Sequence, residues 1–203
     1  MFDDVDVHAV KIGMVANAAV AMAISDRLAR RRAIPIVLDP VMVAKSGDLL
    51  LQPDAVAAIR DVLVPMSTLI TPNLAEAGVL LGRGAPNTVA EMREMLPDLL
   101  ALGSKWVLLK GGHLPGTEIL DILHGADDTV DMSGPRIETN NLHGTGCTLS
   151  AAIAALLVGA EMMLSVTKAR AYLAEALAHS AFLKVGKGKG PVHHFHAMWS
   201  AGC

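Results

Sequence analysis

Aromatic residues are nearly missing from this chain: three Phe, two Trp and one Tyr among 203 residues. So thin a supply excludes a stacking platform for single-stranded nucleic acid. Packing is left to Ala, Leu, Val and Met. Cysteine is scarcer still, and Cys147 and Cys203 are too few for a disulfide scaffold. No sign of charge dominates. The formal net charge is −3, which gives no global attraction for nucleic acid. Long apolar runs are absent too: the stretch 151–160 is bounded by Ser150 and Glu161 and is too short to span a bilayer. The start, Met1-Phe2-Asp3-Asp4-Val5-Asp6, is acidic where a secretory leader is basic. A cytoplasmic chain is expected, with neither membrane nor nucleic acid as partner.

What is present is a large apolar reserve. Residues of that class make up 52% of the chain, enough to bury one substantial core. Nothing repeats at a solenoid-like period and no linker interrupts the sequence, so residues 1–203 read as a single domain. Buried strands are expected within 5–12, 34–38, 69–70 and 106–109, where short apolar runs occur. Between them lie helical patterns at 17–31, 53–63, 74–81 and 88–102. Residues 118–124 and 129–132 form a hairpin around Gly125-Ala126-Asp127-Asp128. Two further helices follow, over 148–158 and 162–185. Such alternation predicts a three-layer α/β/α fold on a mainly parallel sheet.

The chain is organised around Asn140-Asn141-Leu142-His143-Gly144-Thr145-Gly146-Cys147, which runs into the apolar helix. Leu149, Ile153 and Leu156 fall on one stripe of that helix. At its start, free backbone N–H groups of Gly144, Thr145 and Gly146 would face an anion, aided by the helix dipole. Cys147 would stand in the first turn, where a thiolate is favoured. Each part also has a plainer reading: Gly-Thr-Gly as an ordinary helix entry, Cys147 as a small buried residue. The string is neither a Walker A loop nor a dinucleotide fingerprint.

Three strand exits carry the other candidates. Asp39, held by Pro40 at the end of a strand, can hold Mg²⁺ or its waters, or simply form an Asx turn. Thr71-Pro72-Asn73 ends the next strand. There Asn73 and Glu76 read as a capping box, while Glu76 also lies at the same edge as Asp39. Lys110-Gly111-Gly112-His113 offers a positive charge and close backbone approach. The loop through Lys45-Ser46-Gly47-Asp48 has a polar tip that could close over a ligand. Gly186 to His196 is a glycine-rich basic tail. Its three histidines are too close together, and too far from a fixed carboxylate, for a zinc site.

Taken together, these pieces resemble the bacterial hydroxymethylpyrimidine phosphate kinases of the ribokinase-like superfamily. The strings that carry the resemblance run in the family's order. They are Val10 to Met14, Leu38 to Gly47, Thr71 to Glu76, Val107 to His113, His143 to Ala152 and Gly188 to Phe195. The resemblance implies a kinase of thiamine biosynthesis that uses ATP and Mg²⁺. Its small-molecule substrates would be 4-amino-5-hydroxymethyl-2-methylpyrimidine and its monophosphate. By the same resemblance Cys147 is the base, and Gly144, Thr145 and Gly146 form the anion hole. Asp39 and Glu76 organise Mg²⁺ through water. Asn73, Lys110, Gly111, Gly188, Gly190, Pro191 and Val192 lie on the nucleotide side. The alternatives are a pyridoxal or pyridoxine kinase of the same superfamily, or a nucleotide-binding protein without efficient catalysis. Chains of the family carry a first strand, a glycine-rich turn and much of the pyrimidine pocket ahead of the Val10 to Met14 string. On that ground an N-terminally truncated domain is expected, a poor catalyst alone and, with a sheet edge open, a homodimer.

Overall fold

The structure is a computed structural model that describes residues 2, 4–31, 34–44, 49–183 and 185–199. The polar loop tip Lys45 to Asp48 and Cys203 lie outside the described residues. Among the described residues six strands form one sheet in the order β1-β2-β3-β4-β5-β6. They are β1 (Val10–Ile12), β2 (Ile36–Leu38), β3 (Leu69–Ile70), β4 (Trp106–Lys110), β5 (Glu118–Gly125) and β6 (Thr129–Pro135). The first four are parallel, and the β5–β6 hairpin adds two antiparallel members.

The parallel strands are short and apolar because both their faces are buried. On one side Ile12, Leu38, Ile70, Val107 and Leu109 pack under helices α1 (Ala18–Leu28), α2 (Pro53–Ala58), α4 (Leu74–Leu81) and α5 (Val89–Ala101). On the other, Val37, Leu69, Leu108 and Leu123 pack under α6 (Thr145–Leu156) and α7 (Met162–Ala178). The expected three layers and mainly parallel sheet are therefore present.

Local chemistry explains where elements stop. The apolar pattern places the first strand over 5–12, but it pairs only from Val10, whose N–H donates to Pro35 O at 2.9 Å. Pro35 has no N–H to continue the ladder. After α2 the helix widens into a π turn over Ile59–Leu63, then closes with the short α3 (Val64–Met66). Val64 N–H reaches back to Ile59 O, and Pro65 next along has no N–H to offer. The last helical pattern extends to residue 185, yet the helix ends at Ala178. There Ser180 Oγ donates to Leu177 O at 2.7 Å, taking a carbonyl of the final turn.

Candidate functional site

Strands β2, β3 and β4 end side by side at one edge of the sheet, where open α/β sheets hold their ligands. Backbone bonds carry the alignment to the strand exits: Asp39 N donates to Ile12 O, Thr71 N to Leu38 O and Lys110 N to Pro72 O, each at 2.9 Å. Asp39, Thr71 and Lys110 are thereby set in a row.

Asp39 is 2% exposed, and a buried carboxylate requires partners. It has three neighbours. Its Oδ1 accepts from Lys110 Nζ at 2.9 Å and from Thr71 Oγ1 at 3.1 Å. Ser150 Oγ stands 3.5 Å from Oδ2, although its proton is better placed for Gly146 O at 2.9 Å. Lys110, read from sequence as a cation facing a nucleotide, is thus already paired with Asp39. Its ammonium is partly buried while one side stays open.

Glu76 lies within electrostatic range of this pair. The capping box is real: Asn73 N donates to Glu76 Oε2 at 2.8 Å, and Glu76 N to Asn73 Oδ1 at 2.9 Å. It caps α4. It does not exclude a second role, because Glu76 is itself buried at the same edge. Burial pushes its carboxyl up to about 7; the charge of Lys110 and the Asn73 N–H pull it down, and Asp39 adds a smaller push up.

Helix α6 brings the turn at Gly144 to Gly146 to the cluster. Gly144 has φ 81°, a left-handed conformation that glycine adopts without penalty, and as a cap it has no side chain to occupy the N–H groups behind it. The first intrahelical bond runs from Thr148 N to Gly144 O at 2.8 Å. The N–H groups of Thr145, Gly146 and Cys147 precede it and have no partner within the helix. At Gly146 the helix comes so close that a Cβ would lie 3.3 Å from Lys110 Nζ and 3.5 Å from Asp39 Oδ2. The helix start, a cation and two carboxylates thus share one pocket edge. Cys147 is exposed, not buried.

The tail joins the same turn. His143 N donates to Gly190 O at 3.1 Å, and His143 bridges to Pro191 as a short parallel pair. Val192 is buried beneath it, whereas Gly188 is exposed. Gly111 has a packing reason of its own: a Cβ there would lie 2.0 Å from Leu120 O, and its N–H donates to the buried Asp121 at 3.0 Å.

Sequence reasoning missed Thr71 and Ser150. Thr71 had a usable signal, as the first residue beyond a buried strand. Ser150 also had one, four residues after Gly146 and so on the same helix face. Asp121 and Arg170, whose Nε donates to Asp121 Oδ2 at 2.9 Å, were missed as well; they hold the hairpin to α7. Nothing local marks that pair.

Residues 1–193 match the family described as Phosphomethylpyrimidine kinase. A hydroxymethylpyrimidine/phosphomethylpyrimidine kinase of Rhizobium meliloti is 50% identical over 200 residues, which are 98% of this chain and 75% of that protein. The Escherichia coli enzyme of the same name is 48% identical over the same shares. Among solved structures, a phosphomethylpyrimidine kinase from Clostridium difficile is 37% identical with a TM-score of 0.75, over 87% of this chain and 71% of that one. The Bacillus subtilis pyridoxal kinase, solved as an ADP complex, is 30% identical with a TM-score of 0.86, over 96% and 72%. No described helix is long and apolar enough to cross a membrane.

Proposed function

The chain belongs to the phosphomethylpyrimidine kinase family, and from that premise we propose which of its groups carry the reaction. The activity is a phosphotransferase step of thiamine biosynthesis. It phosphorylates 4-amino-5-hydroxymethyl-2-methylpyrimidine and then its monophosphate. One observation carries the assignment of roles: Gly146, at the start of α6, lies against the Asp39–Lys110 pair, with Glu76 buried beside them.

Phosphoryl transfer calls for positioning and for fixed charges around the moving group. The N–H groups of Thr145, Gly146 and Cys147 supply donors that need no reorganisation. Lys110 adds a cation whose direction is fixed by Asp39. Mg²⁺ fits this donor set. Two carboxylates and phosphate oxygens suit a hard cation that keeps several waters, and no described cluster of three or more ligands forms a closed cage. Asp39 and Glu76 would hold Mg²⁺ through its waters. When bound, the ion neutralises charge on the phosphates. ATP would lie along Asn73, Lys110, Gly111 and the tail Gly188 to Val192.

Cys147, exposed at the first turn, takes the proton from the acceptor hydroxyl as its oxygen bonds to the γ-phosphorus of ATP and the bond from that phosphorus to the ADP oxygen breaks, releasing ADP. A monophosphate acceptor is already anionic at the attacking oxygen, so there Cys147 mainly positions it. The pyrimidine reading draws support from identity: 37–50% to the pyrimidine kinases against 30% to the pyridoxal kinase. The test supplies the pyrimidine monophosphate and pyridoxal together, with ATP and Mg²⁺. The pyrimidine diphosphate is the expected main product. Faster consumption of pyridoxal would overturn the substrate assignment, and nucleotide binding without any product would reduce the chain to a binding protein.

A further inference from the structure

We infer that Asn141 is a positioning residue that locks the tail Gly188 to Val192 onto the anion-binding turn, and so sets the affinity for the nucleotide. The inference rests on the nucleotide-side reading of that tail. Asn141 stands where three segments meet: the turn before α6, the end of α7, and the tail. Its Nδ2 donates to Ser180 O at 2.8 Å. Its own N–H donates to Thr139 Oγ1 at 3.1 Å, and Thr139 Oγ1 lies 3.1 Å from Ser180 Oγ. The amide is therefore anchored at its nitrogen, and the backbone of the same residue at its N–H.

Its Oδ1 faces Gly190. A Cβ at Gly190 would lie 2.1 Å from Asn141 Oδ1 and 2.8 Å from its Cγ, but 3.6 Å from its Cβ. Gly190 does not have the positive φ that would demand glycine for backbone reasons. Among its neighbours, the amide of Asn141 is what excludes a side chain there. Two residues further along the turn, His143 N donates to Gly190 O, so the tail is bonded to the turn by backbone and fitted against the Asn141 amide. The same turn leads directly into Thr145, Gly146 and Cys147. The tail itself carries none of the groups assigned to the acceptor, so a shift of the tail acts first on the nucleotide side.

This geometry predicts a suppressor. Gly190→Ala should displace the tail and raise the KM for ATP about ten-fold or more, the order of a lost positioning contact. Asn141→Ala removes one hydrogen bond and should raise it about five-fold, with a much smaller change in kcat at saturating ATP. In the double variant, the methyl group added at position 190 meets only the Cβ of residue 141, at an ordinary distance. Its KM should therefore fall back to that of Asn141→Ala alone.

A second readout needs no catalysis. Trypsin should cut at Lys187 and Lys189 faster in Gly190→Ala than in the double variant. If the wild-type chain phosphorylates nothing, the functional reading fails while the proteolysis still tests the lock. The inference is overturned if Asn141→Ala leaves both KM and cleavage unchanged. A double variant as impaired as the product of the two single effects, or one in which kcat and KM suffer equally, overturns it too.

Discussion

Replacing Glu76 by Gln is expected to stabilise the fold above neutral pH while slowing the reaction. Glu76 is 3% exposed, and burial raises its folded pKa from 4.5 to about 7. For a carboxylate raised in this way, the folded state prefers the protonated form. Stability is therefore fully present below pH 4.5 and is lost as pH rises through 7. Over that window the loss approaches about 3 kcal/mol, from 1.36 kcal/mol per pKa unit. Gln cannot ionise, yet its oxygen can still accept from Asn73 N, so the capping box survives. Its amide protons add a cost that does not vary with pH, so the diagnostic quantity is the slope. Urea unfolding of both proteins with a chelator present, at about pH 5 and about pH 8, should show the variant's relative stability rising by about 2 kcal/mol. A gap that stays constant across this range would refute the argument that the buried, ionised carboxylate is the destabilising element. In the kinase assay, the same variant should need more Mg²⁺. A gain in stability with a loss of activity is what a group kept for function produces.

Two further perturbations address other parts of the site. Cys147→Ala should leave the unfolding midpoint nearly unchanged, since the side chain is exposed. It should cut turnover of the alcohol more than that of the monophosphate; equal near-wild-type rates on both would rule out Cys147 as a base. Lys110→Met strands the buried Asp39 carboxylate and should cost about 3 kcal/mol, the scale of a broken buried pair. Adding Asp39→Asn should return part of that stability, as read by denaturant unfolding, while activity stays low; failure to recover any stability would mean the pair is not the source of the loss.

The sequence by itself determined whatever is local. Asn73 and Glu76 are three positions apart, and that spacing suffices for a capping box, which the structure contains. Asp39-Pro40 and Thr71-Pro72-Asn73 mark strand exits because proline forbids continuation of a ladder. Gly144 marks a helix entry because its left-handed backbone suits glycine. The family, too, could be read from the ordered strings. Tertiary structure alone decided which of these ends meet. Asp39 and Lys110 are 71 positions apart, and their pairing depends on β2, β3 and β4 lying parallel and in register. Ser150 reaches Asp39 only because α6 crosses the face of β2. In sequence, Gly190 is one of several glycines in a basic tail. Its requirement comes from Asn141, a residue 49 positions away, whose amide oxygen fills the space a side chain would need. Hydrogen bonds within a turn follow from spacing along the chain. Those between distant elements follow from how strands register and helices pack, and no local pattern records that.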